Sequence, residues 1–276
     1  YDEQGTPLFH GHRILGKEDG EWTYYYPDGS PKQRVNYREG IKLGPFEDFY
    51  PNKQPKTQCT FNYVGQLEGV YIVWDEQGGS LIEGQFQNGT RTGKWTYTNG
   101  EEGFERVEHE YAPNGIIQYE RKYPKAGGNY YEFIARNDTH GLDSTGAFDG
   151  LFRTGYWRIY GGKGIYIKAE GNFEGDDKEG EWKYWSDDHV LLEVGSYHLG
   201  EKVGLWKITS EDQQQVLEQL HETDGIRNQN YWDNGKQTLQ NGKGFIDSYG
   251  YLGEEMIKIR TYYRKGLSYK TKNKKI

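Results

Sequence analysis

The sequence predicts an all-β protein built from tandem β-hairpins, and its repeat period and composition lead to this fold class. Turn glycines recur in steps of 24 or 25 residues along two series, which are Gly16, Gly40, Gly65 and Gly89, and then Gly150, Gly175, Gly200 and Gly225. The 276 residues include 39 Gly, 25 Tyr, 11 Phe and 8 Trp, but only five Ala. A chain so poor in the strongest helix former and so rich in aromatic residues favours strands joined by tight turns.

Each repeat has the pattern of one hairpin. Two glycines four or five residues apart mark a turn, and an aromatic residue follows two positions after the second glycine. These aromatic residues are Trp22, Phe46, Tyr71, Trp95, Trp157, Trp182 and Trp206, and Trp232 stands at the same offset from the first glycine of the eighth repeat, which lacks the second. A lone hairpin is only marginally stable in water. We therefore expect neighbouring hairpins to stack their rings in an elongated, twisted antiparallel sheet.

The period breaks in the middle of the chain, because Gly89 and Gly150 lie 61 residues apart. We expect a first hairpin array over residues 1–123, an irregular insertion or linker over residues 124–147, and a second array over residues 148–276. The second array ends in a basic stretch, Lys270 to Lys275, which has four Lys in six residues. Such a terminus is typically unpaired and solvated, so we expect a tail there.

A second aromatic row is the candidate binding site. Three residues after the first-strand aromatic residues stand Tyr25, Phe49, Trp74, Tyr160 and Trp185. Residues an odd number of positions apart on a strand face opposite sides of the sheet, so these rings face away from the tryptophan row. An exposed row of this kind could stack on sugar rings or receive a partner strand. The alternative is a structural role, in which the rings cover the return strand or pack under the insertion.

The repeat resembles the bacterial variant of the MORN repeat, as in antitoxin-like proteins of the YwqK type. The resemblance rests on the pattern G-x-x-x-G-x-W-x-x-Y-Y-x-x-G, followed by a strand that ends in aromatic-x-x-G, and it extends from Gly16 to about Tyr111 and from Phe148 to about Gly266. It implies stacked hairpins that bind proteins or lipid head groups, with no catalysis in the repeats. Its shared positions are structural, so it assigns no functional residue here.

Motifs for catalysis, metal binding and cofactor binding are missing from the sequence. It contains no phosphate-binding loop, dinucleotide fingerprint, zinc-protease motif or nucleophile elbow. The acidic cluster of Asp176, Asp177, Glu179, Asp187 and Asp188 lacks the spacing of a calcium loop. Five glutamates between Glu101 and Glu110 have nothing to fix a glycosidase pair. We therefore predict no catalytic residue, no metal site and no cofactor.

We also expect His10 and His12 to be exposed, and the lone Cys59 to pack within a strand.

Charge and hydropathy narrow the range of partners. The 34 Lys and Arg against 42 Asp and Glu give a net charge of −8 at pH 7, which argues against a dedicated nucleic-acid surface. No run of 18 apolar residues occurs, so no transmembrane helix is predicted. The chain starts at Tyr1 without a methionine, which fits removal of a signal peptide and fits a truncated sequence equally well. We expect an exported or periplasmic protein, with a cytoplasmic location as the alternative.

The favoured hypothesis is a non-enzymatic bacterial repeat scaffold that binds another macromolecule, most simply a protein partner. A second hypothesis, which the resemblance implies, is an antitoxin or immunity protein that neutralises a toxin. A third is a carbohydrate-binding or carbohydrate-active envelope protein, which would need a glycan site on the aromatic row.

Overall fold

The computed structural model describes residues 5, 7–125, 127–137, 139, 141–252 and 255–275. Every regular element within these ranges is a β-strand, which confirms the predicted fold class of tandem antiparallel hairpins. The chain divides into two compact units, Tyr1–His140 and Gly141–Ile276, called unit 1 and unit 2 below. Neighbouring strands within each unit pair in antiparallel register.

Unit 1 contains eleven strands over the described residues, and each pairs with the next along the chain. They are β1 (Phe9–Ile14), β2 (Lys17–Tyr25), β3 (Pro31–Arg38), β4 (Ile41–Phe49), β5 (Pro55–Phe61), β6 (Leu67–Trp74), β7 (Ser80–Gln87), β8 (Thr90–Thr98), β9 (Phe104–Tyr111), β10 (Ile117–Pro124) and β11 (Tyr130–Arg136).

Unit 2 contains twelve strands over its described residues, again paired in chain order. They are β12 (Leu142–Asp149), β13 (Phe152–Gly161), β14 (Tyr166–Glu174), β15 (Asp177–Trp185), β16 (Leu191–His198), β17 (Glu201–Thr209), β18 (Gln215–Glu222), β19 (Gly225–Asp233), β20 (Lys236–Gln240), β21 (Lys243–Leu252), β22 (Glu255–Arg264) and β23 (Leu267–Lys275).

The second glycine of a repeat lies at a β-bulge. On β4, Phe46 pairs with Val35 and Lys42 pairs with Tyr37, so three residues between Phe46 and Lys42 face a single residue of β3. Gly44 lies in this bulge with a φ of 73°, a conformation that costs a residue with a Cβ atom free energy. The repeated glycine therefore bends the strand at the same point in each hairpin.

The core is a row of tryptophans packed flat against glycines. Trp22, Trp95, Trp157, Trp182 and Trp206 are 0–4% exposed. Each ring lies over a glycine eleven residues earlier, where a Cβ atom would meet the ring at 2.2–2.4 Å; these are Gly11, Gly84, Gly146, Gly171 and Gly195. Each indole Nε1 also donates a hydrogen bond to the carbonyl ten residues earlier, at 2.9–3.2 Å. The ring thus fastens its own strand to the preceding one.

The structure differs from the sequence prediction at three places. The expected insertion, residues 124–147, contains β11 and most of β12, and the boundary between the two units falls within it. The basic C-terminal stretch forms β23 and pairs with β22, so the prediction of an unpaired tail is wrong, although its side chains are exposed. In the eighth repeat Tyr231, 5% exposed, takes the buried position expected for Trp232, because the missing glycine changes the offset by one residue.

Candidate binding face

The five predicted site residues lie on the sheet face opposite the tryptophan row, and all five are half-buried. We call this surface the ladder face. On each return strand a small or aliphatic residue pairs with the ladder ring, and these partners are Pro31 for Tyr25, Pro55 for Phe49, Ser80 for Trp74, Ile167 for Tyr160 and Leu191 for Trp185. Tyr25, Phe49 and Trp74 belong to unit 1, and Tyr160 and Trp185 to unit 2. The rings therefore alternate with non-aromatic residues within each unit.

The tryptophan face is covered by the protein's own cations. A basic residue stands four positions before the core ring in several repeats, and its charged group lies over that ring: Lys42 over Phe46 at 5.0 Å, Arg91 over Trp95 at 4.7 Å, Lys178 over Trp182 at 4.5 Å and Lys202 over Trp206 at 3.9 Å. The Lys178 Nζ also donates to the Tyr184 hydroxyl at 2.7 Å. Burial, aided by nearby Lys202, lowers the pKa of Lys178. These rings are therefore engaged within the fold.

A hydrogen-bonded network at the end of the unit 1 row was not foreseen from the sequence. The His109 Nε2 lies 2.8 Å from the Glu120 carboxylate, and this hydrogen bond holds the pKa of Glu120 below its usual value. The Tyr111 hydroxyl is 3.5 Å from His109 Nδ1 and 3.5 Å from the Tyr97 hydroxyl. Activation of a hydroxyl nucleophile requires a shorter contact with its base, and Tyr111 is only 8% exposed. The network thus links β8, β9 and β10 through side-chain contacts.

Two of the carboxylates singled out in the sequence are neutralised by neighbouring cations. The Glu108 carboxylate, 6% exposed, meets Lys94 at 2.7 Å and Arg106 at 3.3 Å. Asp176 accepts hydrogen bonds from Arg153, which hold the pKa of that carboxyl below its usual range. Among the residues that the structure describes, no three His, Cys, Asp or Glu are placed to hold a metal ion.

The Cys59 thiol is buried, as expected from its place in a strand. Its exposed fraction is 6%, and burial raises its pKa to about 11. The thiol therefore stays protonated at neutral pH, a form that is a poor nucleophile.

Within unit 2, apolar residues stand on both strands of three hairpin pairs on the ladder face. Strand pairing joins Tyr160 to Ile167, Trp185 to Leu191, and Val216 to Trp232; we call these six residues the apolar row. Sequence reasoning missed four of its members, which are Ile167, Leu191, Val216 and Trp232. Trp232 could have been found from the missing second glycine of its repeat, whereas Ile167, Leu191 and Val216 required the strand register.

Two shallow hollows border the apolar row. One is lined by Trp185, Ile167, Tyr166, His189 and Ile165, and Ile165 is 80% exposed. The other is lined chiefly by Leu191, Val194, Thr209, Val216 and Lys207. The second hollow thus combines apolar side chains with polar groups, among them the charged Lys207, an arrangement typical of protein interfaces.

The repeated hairpins, the stacked tryptophans and the uncovered ladder face define a tandem β-hairpin repeat protein. The sequence model of the family described as MORN repeat variant matches residues 18–39, which span β2, the turn and β3. The hairpin of residues 18–39 is thus similar to the MORN repeat variant. None of the described residues lies in a helix long and apolar enough to cross a membrane.

Comparison with other known proteins adds little. No curated protein matches the chain. Two similar solved structures are those of TcdB2-TccC3 and TcdB2-TccC3-Cdc42, at 11% and 10% identity and TM-scores of 0.19 and 0.18. The matches cover 90% and 88% of this chain but only 19% and 16% of those chains. The chain therefore spans less than a fifth of their length, and at these TM-scores the likeness carries no argument about fold or function.

Proposed function

We propose that this protein is a non-enzymatic repeat scaffold that binds a protein partner through the apolar row of unit 2. The observation that carries the proposal is an apolar row with two tryptophans and a tyrosine, left half-buried on a sheet face that no described element covers. Exposed apolar surface bordered by polar groups is typical of sites where another protein binds. Tryptophan and tyrosine contribute most often to the binding energy of such interfaces.

The hollow beside Leu191 suits a protein partner. Leu191, Val194 and Val216 give it apolar surface, and Thr209, Gln213 and Lys207 line the same hollow with polar groups. Apolar surface next to polar groups is typical of sites where another protein binds.

The experiment is quantitative capture of cell proteins by the full chain and by two single variants. Trp185→Ala removes a half-buried ring from the apolar row, and Tyr63→Ala removes a ring that is 84% exposed in a turn. We expect Trp185→Ala to lose the specifically bound protein and Tyr63→Ala to retain it, as measured by cross-linking and mass spectrometry. Equal capture by both variants would show that the partner, if any, binds elsewhere.

A further inference from the structure

The charge of the chain is unevenly distributed along the sequence. Residues 243–275 contain nine Lys and Arg against three Asp and Glu, whereas the rest of the chain contains 25 against 39. The net charge of −8 is the sum over these two parts, so it does not reveal that residues 243–275 are basic. Strands β21, β22 and β23 occupy the basic part.

Strand pairing gathers these cations on one side of the three strands. Lys258 lies directly opposite Lys274, and Arg260 lies directly opposite Lys272. Like charges in directly opposed positions destabilise a sheet. The register places two such pairs side by side. An anion that binds there would relieve the repulsion between their positive charges.

A single buried carboxylate neutralises part of this charge. Asp247, 8% exposed, accepts two hydrogen bonds from the Arg260 guanidinium, at 2.7 and 2.8 Å, and lies 2.9 Å from the Lys258 Nζ. Lys270, Lys272 and Lys274 are exposed, and no carboxylate of the described residues lies within ion-pair distance of them. Three positive charges therefore remain in a line along β23.

Aromatic rings alternate with the cations on the same side. Tyr249 pairs with Lys258, whose Nζ lies 5.7 Å from the centre of its ring, and Tyr249 is still 56% exposed. Tyr262 pairs with Lys270, and the Lys272 Nζ lies 5.6 Å from the centre of its ring. We call this surface, formed by Tyr249, Lys258, Arg260, Tyr262, Lys270, Lys272 and Lys274, the basic face.

We infer that the basic face binds single-stranded nucleic acid. The lysines at alternate positions of β23 are spaced by about 7 Å along the strand, so they form a linear track for a chain of phosphates. The Tyr249 ring, which is 56% exposed and lies across β22 from this track, offers a surface on which an unpaired base stacks. A run of carboxylates alone has no group that stacks on that ring, and in a duplex the bases are already stacked on one another.

The first test is binding of a fluorescein-labelled oligothymidylate of about 15 nucleotides to the full chain, followed by fluorescence anisotropy from about 50 to about 200 mM salt. We expect the affinity to fall with salt. The triple variant Lys270→Gln, Lys272→Gln and Lys274→Gln should bind more weakly, and its slope of log affinity against log salt should be shallower by about 2. A control with the same charge change at exposed positions, Lys53→Gln, Lys163→Gln and Lys236→Gln, should bind like the wild type.

The second test separates base stacking from charge attraction. Tyr249→Ala should weaken oligothymidylate binding by about 5- to 100-fold, and Tyr249→Phe, which keeps the ring, should bind like the wild type. Three results would each overturn the inference: no binding of the oligonucleotide, a control triple variant that loses as much affinity as the β23 variant, or a Tyr249→Ala variant that binds normally. Equal competition by polyglutamate would instead assign the face to an acidic protein segment, and binding only to vesicles with phosphatidylserine would assign it to a lipid surface.

Discussion

At the scale of single residues, the core is built from a repeated pair, which is a tryptophan and the glycine eleven residues before it. The glycine lets the indole lie flat on the neighbouring strand, and the indole nitrogen then reaches the carbonyl of the next residue. Where the core ring is smaller the glycine is absent: Val35 pairs with Phe46, and the strand register places the buried Cys59 at the corresponding position for Tyr71. Ring size and the residue beneath it are therefore matched.

This matching predicts that an added methyl group under a tryptophan is destabilising. A Cβ atom at Gly84 would lie 2.2 Å from the Trp95 ring, whereas one at Gly100 meets only an ordinary contact at 3.6 Å. We expect Gly84→Ala to reduce the free energy of unfolding by about 1–3 kcal/mol through overpacking, and Gly100→Ala to leave it nearly unchanged. Denaturant titration of both variants measures this, and equal midpoints would contradict it.

The two aromatic rows differ in burial, which predicts different costs for losing a ring. Trp182 is fully buried, and Trp185, three residues later, is half-buried. We expect Trp182→Ala to cost about 3–5 kcal/mol in the free energy of unfolding and Trp185→Ala to cost clearly less. Side-by-side denaturant midpoints test this. Equal, large losses would make both rows structural and remove the basis for the proposed binding face.

The core row was largely predictable from the sequence, but its glycine partners were not. An aromatic residue at a fixed offset from a turn glycine is visible in one repeat, so Trp22, Trp95 and Trp206 could be assigned directly. Which residue lies beneath each ring depends on the register of two strands across a bulge. The same limit hid Leu191 and Val216 in the apolar row.

At the scale of elements, successive hairpins are joined at both ends by side-chain and backbone hydrogen bonds. At one end, the Tyr26 and Tyr50 hydroxyls donate to the carbonyls of Phe49 and Trp74 in the next repeat, at 2.7 and 2.8 Å. At the other end, the Glu68 carboxylate accepts from the Asn88 amide of the next turn at 2.7 Å. These bonds complement the stacked rings in holding one repeat to the next.

The tyrosine hydroxyl contacts predict that removing one of these oxygen atoms lowers the free energy of unfolding by a modest amount. Tyr50→Phe keeps the ring but leaves the Trp74 carbonyl without its donor, so we expect a loss of about 0.5–1.5 kcal/mol in the free energy of unfolding. Tyr63→Phe is the control, because its ring is 84% exposed. Thermal or denaturant unfolding distinguishes them, and an unchanged Tyr50→Phe midpoint would show that the bond contributes nothing.

The ion pairs of Asp247 predict that the stability of β21–β23 depends on pH. Hydrogen bonds from Arg260 and Lys258 outweigh burial and hold the pKa of Asp247 below its usual value. Its contribution is therefore complete above the unfolded pKa of about 3.9 and is lost as the pH falls through the lower folded pKa. We expect Asp247→Asn to be less stable than the wild type at neutral pH, and the difference to shrink below about pH 4. A difference that stays constant with pH would contradict this assignment.

Regular strands were predicted wherever the glycine period holds, and the misses fall where it does not. β11 and β12 lie in the stretch without the period, and β23 carries a charge pattern that reads as a tail. Both form because a neighbouring strand supplies their hydrogen bonds. That source of stability is not visible in the local sequence.

At the scale of the whole molecule, the chain contains two compact units that divide between residues 140 and 141. Each unit has its own buried tryptophans, Trp22 and Trp95 in unit 1, and Trp157, Trp182 and Trp206 in unit 2. In a repeat array each hairpin is stabilised by its immediate neighbours. Destabilisation is therefore expected to remain largely within the unit where it is introduced.

This expectation can be tested with the buried thiol of unit 1 as a reporter. Trp206→Ala should lower the stability of unit 2 by about 3–5 kcal/mol and produce a separate, earlier transition in circular dichroism. Labelling of Cys59 by a thiol reagent, which requires unfolding around β5, should keep its wild-type midpoint. If labelling shifts together with the circular dichroism transition, the two units unfold as one.

The bond from each indole to the carbonyl ten residues before it also limits how such a chain can change in length. Adding or removing one residue within a strand would turn every following side chain to the opposite face and carry the ring away from its glycine. Adding or removing a whole repeat of 24 or 25 residues would restore the same ring over the same kind of glycine. Changes in length within the strands are thus expected in whole-hairpin steps, and the surface that the protein presents can lengthen without being rebuilt.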